Sequence, residues 1–456
     1  MTIPSASPHP AMARPRVPFP AAAAPVSRTR WVILFLLVFV TYVSPPRFNV
    51  GTVAAPGALP KTVDVRAEDL LLVAILSLWM IRPSFVRWRS PLKPLIFGYL
   101  AWSITATVFA ISQEWVSPLR ATFYTAKEIE YFLFFAVGLL CVRSIEDLRA
   151  GIAALVAGAL VQGLYAVYQL GTGQYTGGYA VGLLGEANPH AVGFCGLLSL
   201  CLGMALFDPA RPRMAAVSIA CAGLGAVQIL GSVARTAAIA AVVAAVVLLV
   251  VELPDRRRIL PRWAPVALFS VMAVAAVVTY TLLSASEKEA DMWKRRMDPL
   301  LGAQSGWDEG VKAFHQTRVD YVFVPYYELV ARSPILGNGK GITGQSEDRF
   351  AETHNYYLRL IVEAGIVGLL LYMIMLAVVL GAVYRLYRYG RPMLARRMGL
   401  FCLVFTVVIL VCAFAQDTFS GPRAAELFWI MAGMAMGLDR LGLSRQPRPA
   451  SLRGLR

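Results

Sequence analysis

Charged residues are few in this chain. Asp, Glu, Lys and Arg together make up 15% of its 456 residues, where a soluble globular domain carries about a quarter. That shortage excludes an ordinary soluble domain. Cysteine is no richer: the six cysteines, Cys141, Cys195, Cys201, Cys221, Cys402 and Cys412, all lie inside apolar runs. There cysteine acts as a small hydrophobe, and neither a metal-ligand spacing nor a disulfide framework emerges. Gly337-Asn338-Gly339-Lys340-Gly341 lacks the GxxxxGK[ST] pattern and a preceding strand, so it is read as a flexible turn, not a phosphate cradle. No metal and no cofactor are expected.

Apolar residues fill the space that charge leaves, at 57%. Ala150–Leu170, Thr236–Val251 and Pro265–Leu283 are nearly free of charge and approach the ~20 residues that cross a hydrocarbon core as helix. Backbone groups in lipid must bond internally, so runs of this length mean helices. The pattern predicts an all-α integral membrane protein with about twelve transmembrane helices, at 31–44, 68–82, 94–112, 129–143, 150–170, 190–207, 214–231, 236–252, 264–284, 356–383, 399–415 and 425–438. Residues 1–27, rich in Pro, Ala and Ser, are expected to be a disordered cytoplasmic tail. Helices one to nine then occupy 28–284, a large external loop or cap 285–353, helices ten to twelve 354–440, and a basic cytoplasmic tail 441–456.

The net charge of +16 follows this topology. Lys and Arg favour the cytoplasmic side of short loops. With the N-terminus inside, the clusters at Arg82–Lys93, Arg143/Arg149, Arg211/Arg213, Arg256–Arg262, Arg385–Arg397 and beyond Arg440 all fall on that side. With the N-terminal arginines they hold more than half of the 43 basic residues, while 171–189 holds none. The charge is thus a topology signal and an attraction to anionic lipid, with no nucleic acid implied.

The four histidines are few enough to weigh singly. His9 lies in the tail, His190 opens the sixth span and His315 is in the loop. His354 stands where the loop re-enters the membrane, as either an interfacial anchor or a proton acceptor near neutral pH. Arg235 sits between two apolar runs on the arginine-poor face. It is either a snorkelling helix-end residue or an anion ligand whose planar fork suits phosphate. Arg318 and Arg332 flank the aromatic part of the loop, as anion ligands or solvated residues of the cap. Tyr321–Ala331 is expected to be helical, stopped by Ser333-Pro334. Arg359 and Glu363, four apart, are expected to pair on one helical face; Glu363 is out of phase with His354. Glu287, Glu289 and Asp291 are crowded by Lys288, Lys294, Arg295 and Arg296, a self-neutralising segment more than an ion site.

These residues fall into an order that resembles the O-antigen ligase and polymerase superfamily of membrane glycosyltransferases. The resemblance lies in Gly185-x-x-Asn188-Pro189, Ser232-Val233-Ala234-Arg235-Thr236, Arg318 followed by Ser333-Pro334-Ile335-Leu336-Gly337-x-Gly339, and His354-Asn355-x-x-Leu358-x-x-x-x-Glu363-x-Gly365. It implies a bacterial inner-membrane enzyme whose external, periplasmic site moves a glycan from a polyprenyl (undecaprenyl) diphosphate donor to an acceptor. The acceptor is lipid A–core in ligases, another lipid-linked repeat in polymerases, or a protein. An inverting, metal-independent mechanism is implied, with His354 as general base and Arg235 and Arg318 on the diphosphate. Asn188, Asn355 and Arg332 are the supporting residues. Ligation is the reading preferred, with polymerisation the alternative. A lipid-linked glycan transporter or flippase is the rival, but it predicts repeated halves about a midplane site, and no repeat is evident. A structural subunit of an export assembly would leave Arg235 and His354 without a reason.

Overall fold

The computed structural model describes residues 28–43, 48–53, 61–81, 90–172, 197–198, 201, 212–231, 235–252, 323–343, 353–414, 416–419 and 421–441. The elements in chain order are α1 (Arg28–Val43), β1 (Phe48–Val53), β2 (Lys61–Val65), α2 (Ala67–Ile81), α3 (Leu92–Ser112), α4 (Pro118–Cys141), α5 (Ile145–Thr172), α6 (Pro212–Gly231), α7 (Arg235–Glu252), α8 (Val324–Arg332), α9 (Tyr356–Tyr389), α10 (Met393–Cys412) and α11 (Pro422–Arg440). Among them α3, α5, α9 and α10 are long and apolar enough to cross a membrane. This is a helical membrane protein. The spans expected at 190–207, apart from 197–198 and 201, and at 264–284 lie outside the described residues, as do both tails and the loop over 285–322 and 344–352.

Two details depart from the sequence reading. The β1–β2 pair is an antiparallel hairpin, with Phe48 opposite Val65 and Val53 opposite Lys61, inserted into a chain expected to be all helical. And α4 starts at Pro118, eleven residues before the expected span. Lys127, Glu128 and Glu130 interrupt the hydropathy there, but each has a partner of opposite charge. Pro118 also suits a first helical position, because its missing N–H would have no partner there anyway.

Close packing sets the helix order. α4 and α11 run parallel and nearly touch: a Cβ on Gly138 would lie 2.3 Å from the Ile430 carbonyl oxygen, and one on Gly433 2.2 Å from that of Phe135. Small residues that let backbones approach are a standard membrane contact. α9 and α10 are antiparallel, joined by a bond from the Tyr357 hydroxyl to the Leu410 carbonyl at 2.7 Å. α1 ends under α5, where the Gln162 amide donates to the carbonyls of Tyr42 and Val43.

α9 is not one straight helix. Gly365 takes φ +68, ψ −175 and breaks it into Tyr356–Ala364 and a longer second half. Such a break frees carbonyls that must find donors away from water. The segment after α8 supplies them: the backbone N–H of Asn338 donates to Val362 (2.8 Å) and that of Gly339 to Glu363 (3.0 Å). Trp102 Nε1 donates to Ala364 at 2.8 Å. In return Ile366 N–H donates to the Pro334 carbonyl. A Cβ on Gly365 would fall 1.9 Å from the Ile335 oxygen, and its φ/ψ is essentially open to glycine alone, at ~1–3 kcal/mol for other residues. Gly365→Ala is therefore expected to lose the folded protein from detergent extracts, by size-exclusion chromatography, where Gly98→Ala, with open space at its Cβ, leaves the yield unchanged.

Candidate functional site

α4, α9 and α11 begin, and α3 and α10 end, at one end of the bundle, and the segment after α8 folds down among them. Apolar helices leave polar residues only at such ends, so charge gathers there. Lys340, carried by the turns at Gly339 (φ +81) and Gly341 (φ +81), is inserted between helices. Its Nζ donates to Glu128 Oε1 at 2.5 Å and lies 3.2 Å from Glu363 Oε2. Tyr99 and Ser103 also donate to Glu128, at 2.5 and 2.9 Å, and Thr343 to Glu363 at 3.0 Å. Burial alone would lower the Lys340 pKa, but the two carboxylates outweigh it and hold the ammonium above the ordinary lysine range.

The chain of opposite charges continues. Arg359 pairs with Glu363 at 3.0 Å, the contact expected from their spacing, and with Asp417 at 3.4 Å. Asp417 in turn accepts from the Thr353 hydroxyl. Beside this chain a small cleft opens between Tyr124, Lys127, Tyr131, Lys340, Arg359 and Trp429. The glycine-rich turn is thus not flexible, as its sequence suggested. It is a buried plug, with Asn338 bonded through its side-chain amide to the carbonyls of Leu329 and Val362.

His354 follows Thr353 directly and is half-buried, with its backbone in the left-handed region at φ +47. Asn355 caps α9, its Oδ1 accepting from Leu358 N–H at 3.0 Å; that oxygen, expected to support the site, serves the helix start. Arg332 ends α8, held by a 2.7 Å bond from Nε to Asn338 and by the face of Trp115 at 4.0 Å. Arg235 is the first residue of α7. Arg318 and Asn188 lie outside the described residues, as do His190, His315 and the acidic segment at Glu287–Asp291.

Three carboxylates, of Asp69, Glu130 and Glu426, bring oxygens within 4.8 Å of one another. Lys127 stands among them, 2.7 Å from Glu130 and 3.1 Å from Asp69, and supplies the positive charge that a metal ion would bring. Sequence reasoning passed over Lys340, Glu128 and Asp417. The signals were present: a Lys127-Glu128-x-Glu130 cluster inside an apolar run, and glycines at 337, 339 and 341 around a single lysine.

No curated protein matches the chain. Residues 219–373, however, match a family model described as O-antigen ligase. That stretch takes in Arg235, Arg318, Arg332, His354 and the joint between Gly337 and Gly365. With the motif order and the helical membrane fold, the match makes residues 219–373, about a third of the chain, similar to the O-antigen ligase family.

Proposed function

We propose that the protein is an inverting glycosyltransferase that moves a glycan from a polyprenyl diphosphate to an acceptor hydroxyl at the outer face of the bacterial inner membrane, with lipid A–core the acceptor. The observation that carries this reading is His354, held in a left-handed turn at the polar end of the bundle within the matched domain. In it, His354 takes the proton from the acceptor hydroxyl as that oxygen attacks the anomeric carbon. The diphosphate leaves from the opposite face with the bond's electron pair, and its charge is met by Arg235 and Arg318. A leaving diphosphate needs positive charge in place before the bond breaks. Arg235 has support from its position, since it opens a helix whose first N–H groups have no partners within the helix and favour an anion. Arg332 adds charge at the end of α8. With arginines in this role, no metal is required.

The test is reconstitution of the full chain with undecaprenyl diphosphate-linked glycan and lipid A–core, with products resolved on a gel. Glycan moving onto lipid A–core, with chelator present, is the expected result. Lengthening of the lipid-linked glycan alone would establish polymerisation in place of ligation, and no transfer to either acceptor would end the reading. In the same assay Arg235→Ala is expected to lower transfer by about 10²–10³-fold, as loss of one donor to a developing anion does. Arg235→Lys should recover only part, lacking the two-pronged geometry. A wild-type rate in Arg235→Ala would reassign this residue to anchoring α7.

A further inference from the structure

His354 is bracketed by two contacts to one segment, the connection between α10 and α11. On one side the Thr353 hydroxyl, fully buried, donates to Asp417 Oδ1. On the other, two residues on, the Tyr356 N–H donates to the Ala413 carbonyl at 2.9 Å. Between them the His354 backbone is held at φ +47, a conformation that a non-glycine residue keeps only where its surroundings fix it. Asn355 is fixed as well, by its cap to Leu358. The His354 backbone, and with it the Cα–Cβ bond from which the imidazole projects, is therefore set from both flanks by a segment that reaches back to this point from α10.

We propose that Asp417 is a positioning residue for His354. The proposal rests on the reading of His354 as the base. Asp417 acts through Thr353, not by contact with the ring, and its second oxygen is oriented by Arg359 Nη1 at 3.4 Å. Arg359 is in turn held by Glu363, and Glu363 by Lys340. The buried charge chain thus ends on the residue that fixes the turn. This gives the left-handed turn at His354 a physical source: a carboxylate oriented by an arginine accepts the Thr353 hydroxyl. Reactions between held groups are sensitive to such placement, and a shift of about 1 Å can cost ~10²-fold.

The test uses the reconstituted full chain. Thr353→Val, which removes the hydroxyl but leaves the Arg359–Asp417 pair, and Asp417→Ala are both expected to lower kcat by about 10–100-fold with the donor KM unchanged. Thr353→Ser, which keeps the donor oxygen, should run near the wild-type rate. In a His354→Asn background Asp417→Ala should cause no further loss, because groups that act through one another are not additive. A purely structural Asp417 would lower the amount of folded protein and leave kcat per folded molecule intact. It would also lower residual transfer equally with and without His354, and either result overturns the proposal. A slow His354→Asn beside undiminished Thr353→Val and Asp417→Ala overturns the positioning role alone. A wild-type rate in His354→Asn overturns the base assignment, and the proposal with it.

Discussion

Replacing His354 with alanine is expected to lower glycan transfer by about 10²–10⁴-fold, the usual worth of positioned proton removal, with the protein still folded and still binding its donor. Folding should survive because His354 is half-buried and contributes nothing to the apolar core. Its left-handed backbone complicates the alanine result, since alanine pays ~1–2 kcal/mol in that region and the turn could relax. Asparagine tolerates the conformation better and cannot act as a base, so His354→Asn keeps the turn and removes only the proton acceptor. His354→Gln keeps a hydrogen-bonding group of similar reach. All three variants should be slow to a similar degree in initial-rate assays with purified protein, with donor affinity near wild type by displacement of labelled lipid-linked glycan. Near-wild-type transfer by the glutamine or asparagine variant would show that the residue only holds the acceptor and that catalysis rests on the arginines.

How much of this site was legible in the sequence depends on how far apart its partners lie along the chain. Helix positions were legible wherever a run was uniformly apolar, as over Ile145–Thr172. The start of α4 was not, because Lys127, Glu128 and Glu130 look like an interruption until their partners from other elements are known. Arg359 and Glu363 were legible as a pair because they share one helical face. Lys340 was not, since its partners are Glu128, 212 residues away, and Glu363, and no local period encodes such a meeting. The β1–β2 hairpin leaves a faint trace in its β-branched residues, Thr52, Val53, Thr62, Val63 and Val65, but each strand is only five or six residues long. His354 and Gly365 stood out through the family resemblance. That Gly365 breaks α9 to receive the turn at Gly337 follows only from the fold, where a Cβ on Gly337 would lie 2.5 Å from the Gly365 nitrogen.

Lys340→Met should be the most destabilising removal of a single charge in the polar end of the bundle. The side chain is 6% exposed, between carboxylates that are 9% and 2% exposed. Methionine fills nearly the same volume, so the substitution removes charge more than packing. Removing one partner of a buried ion pair leaves the other uncompensated and costs about 3–5 kcal/mol. Glu363 keeps Arg359 and Thr343 as partners, whereas Glu128 keeps only neutral hydroxyls, those of Tyr99 and Ser103, among its described contacts. The damage should therefore concentrate on Glu128. Thermal unfolding of the detergent-solubilised protein is expected to fall by roughly 3–10 °C, given a few degrees or less per kcal/mol for a chain of this size. Glu128→Gln alone should also destabilise, because Lys340 then faces Glu363 only. Combining the two removes both the orphaned charge and its partner, and the double variant should be more stable than Lys340→Met. A double variant whose loss is the sum of the two single losses would show that Lys340 and Glu128 do not act as a pair. A single Lys340→Met variant as stable as wild type would show that water reaches the plug and screens these charges. Transfer activity should follow the same order, since Glu363 links Lys340 to Arg359, and Arg359 to the carboxylate that holds the turn at His354.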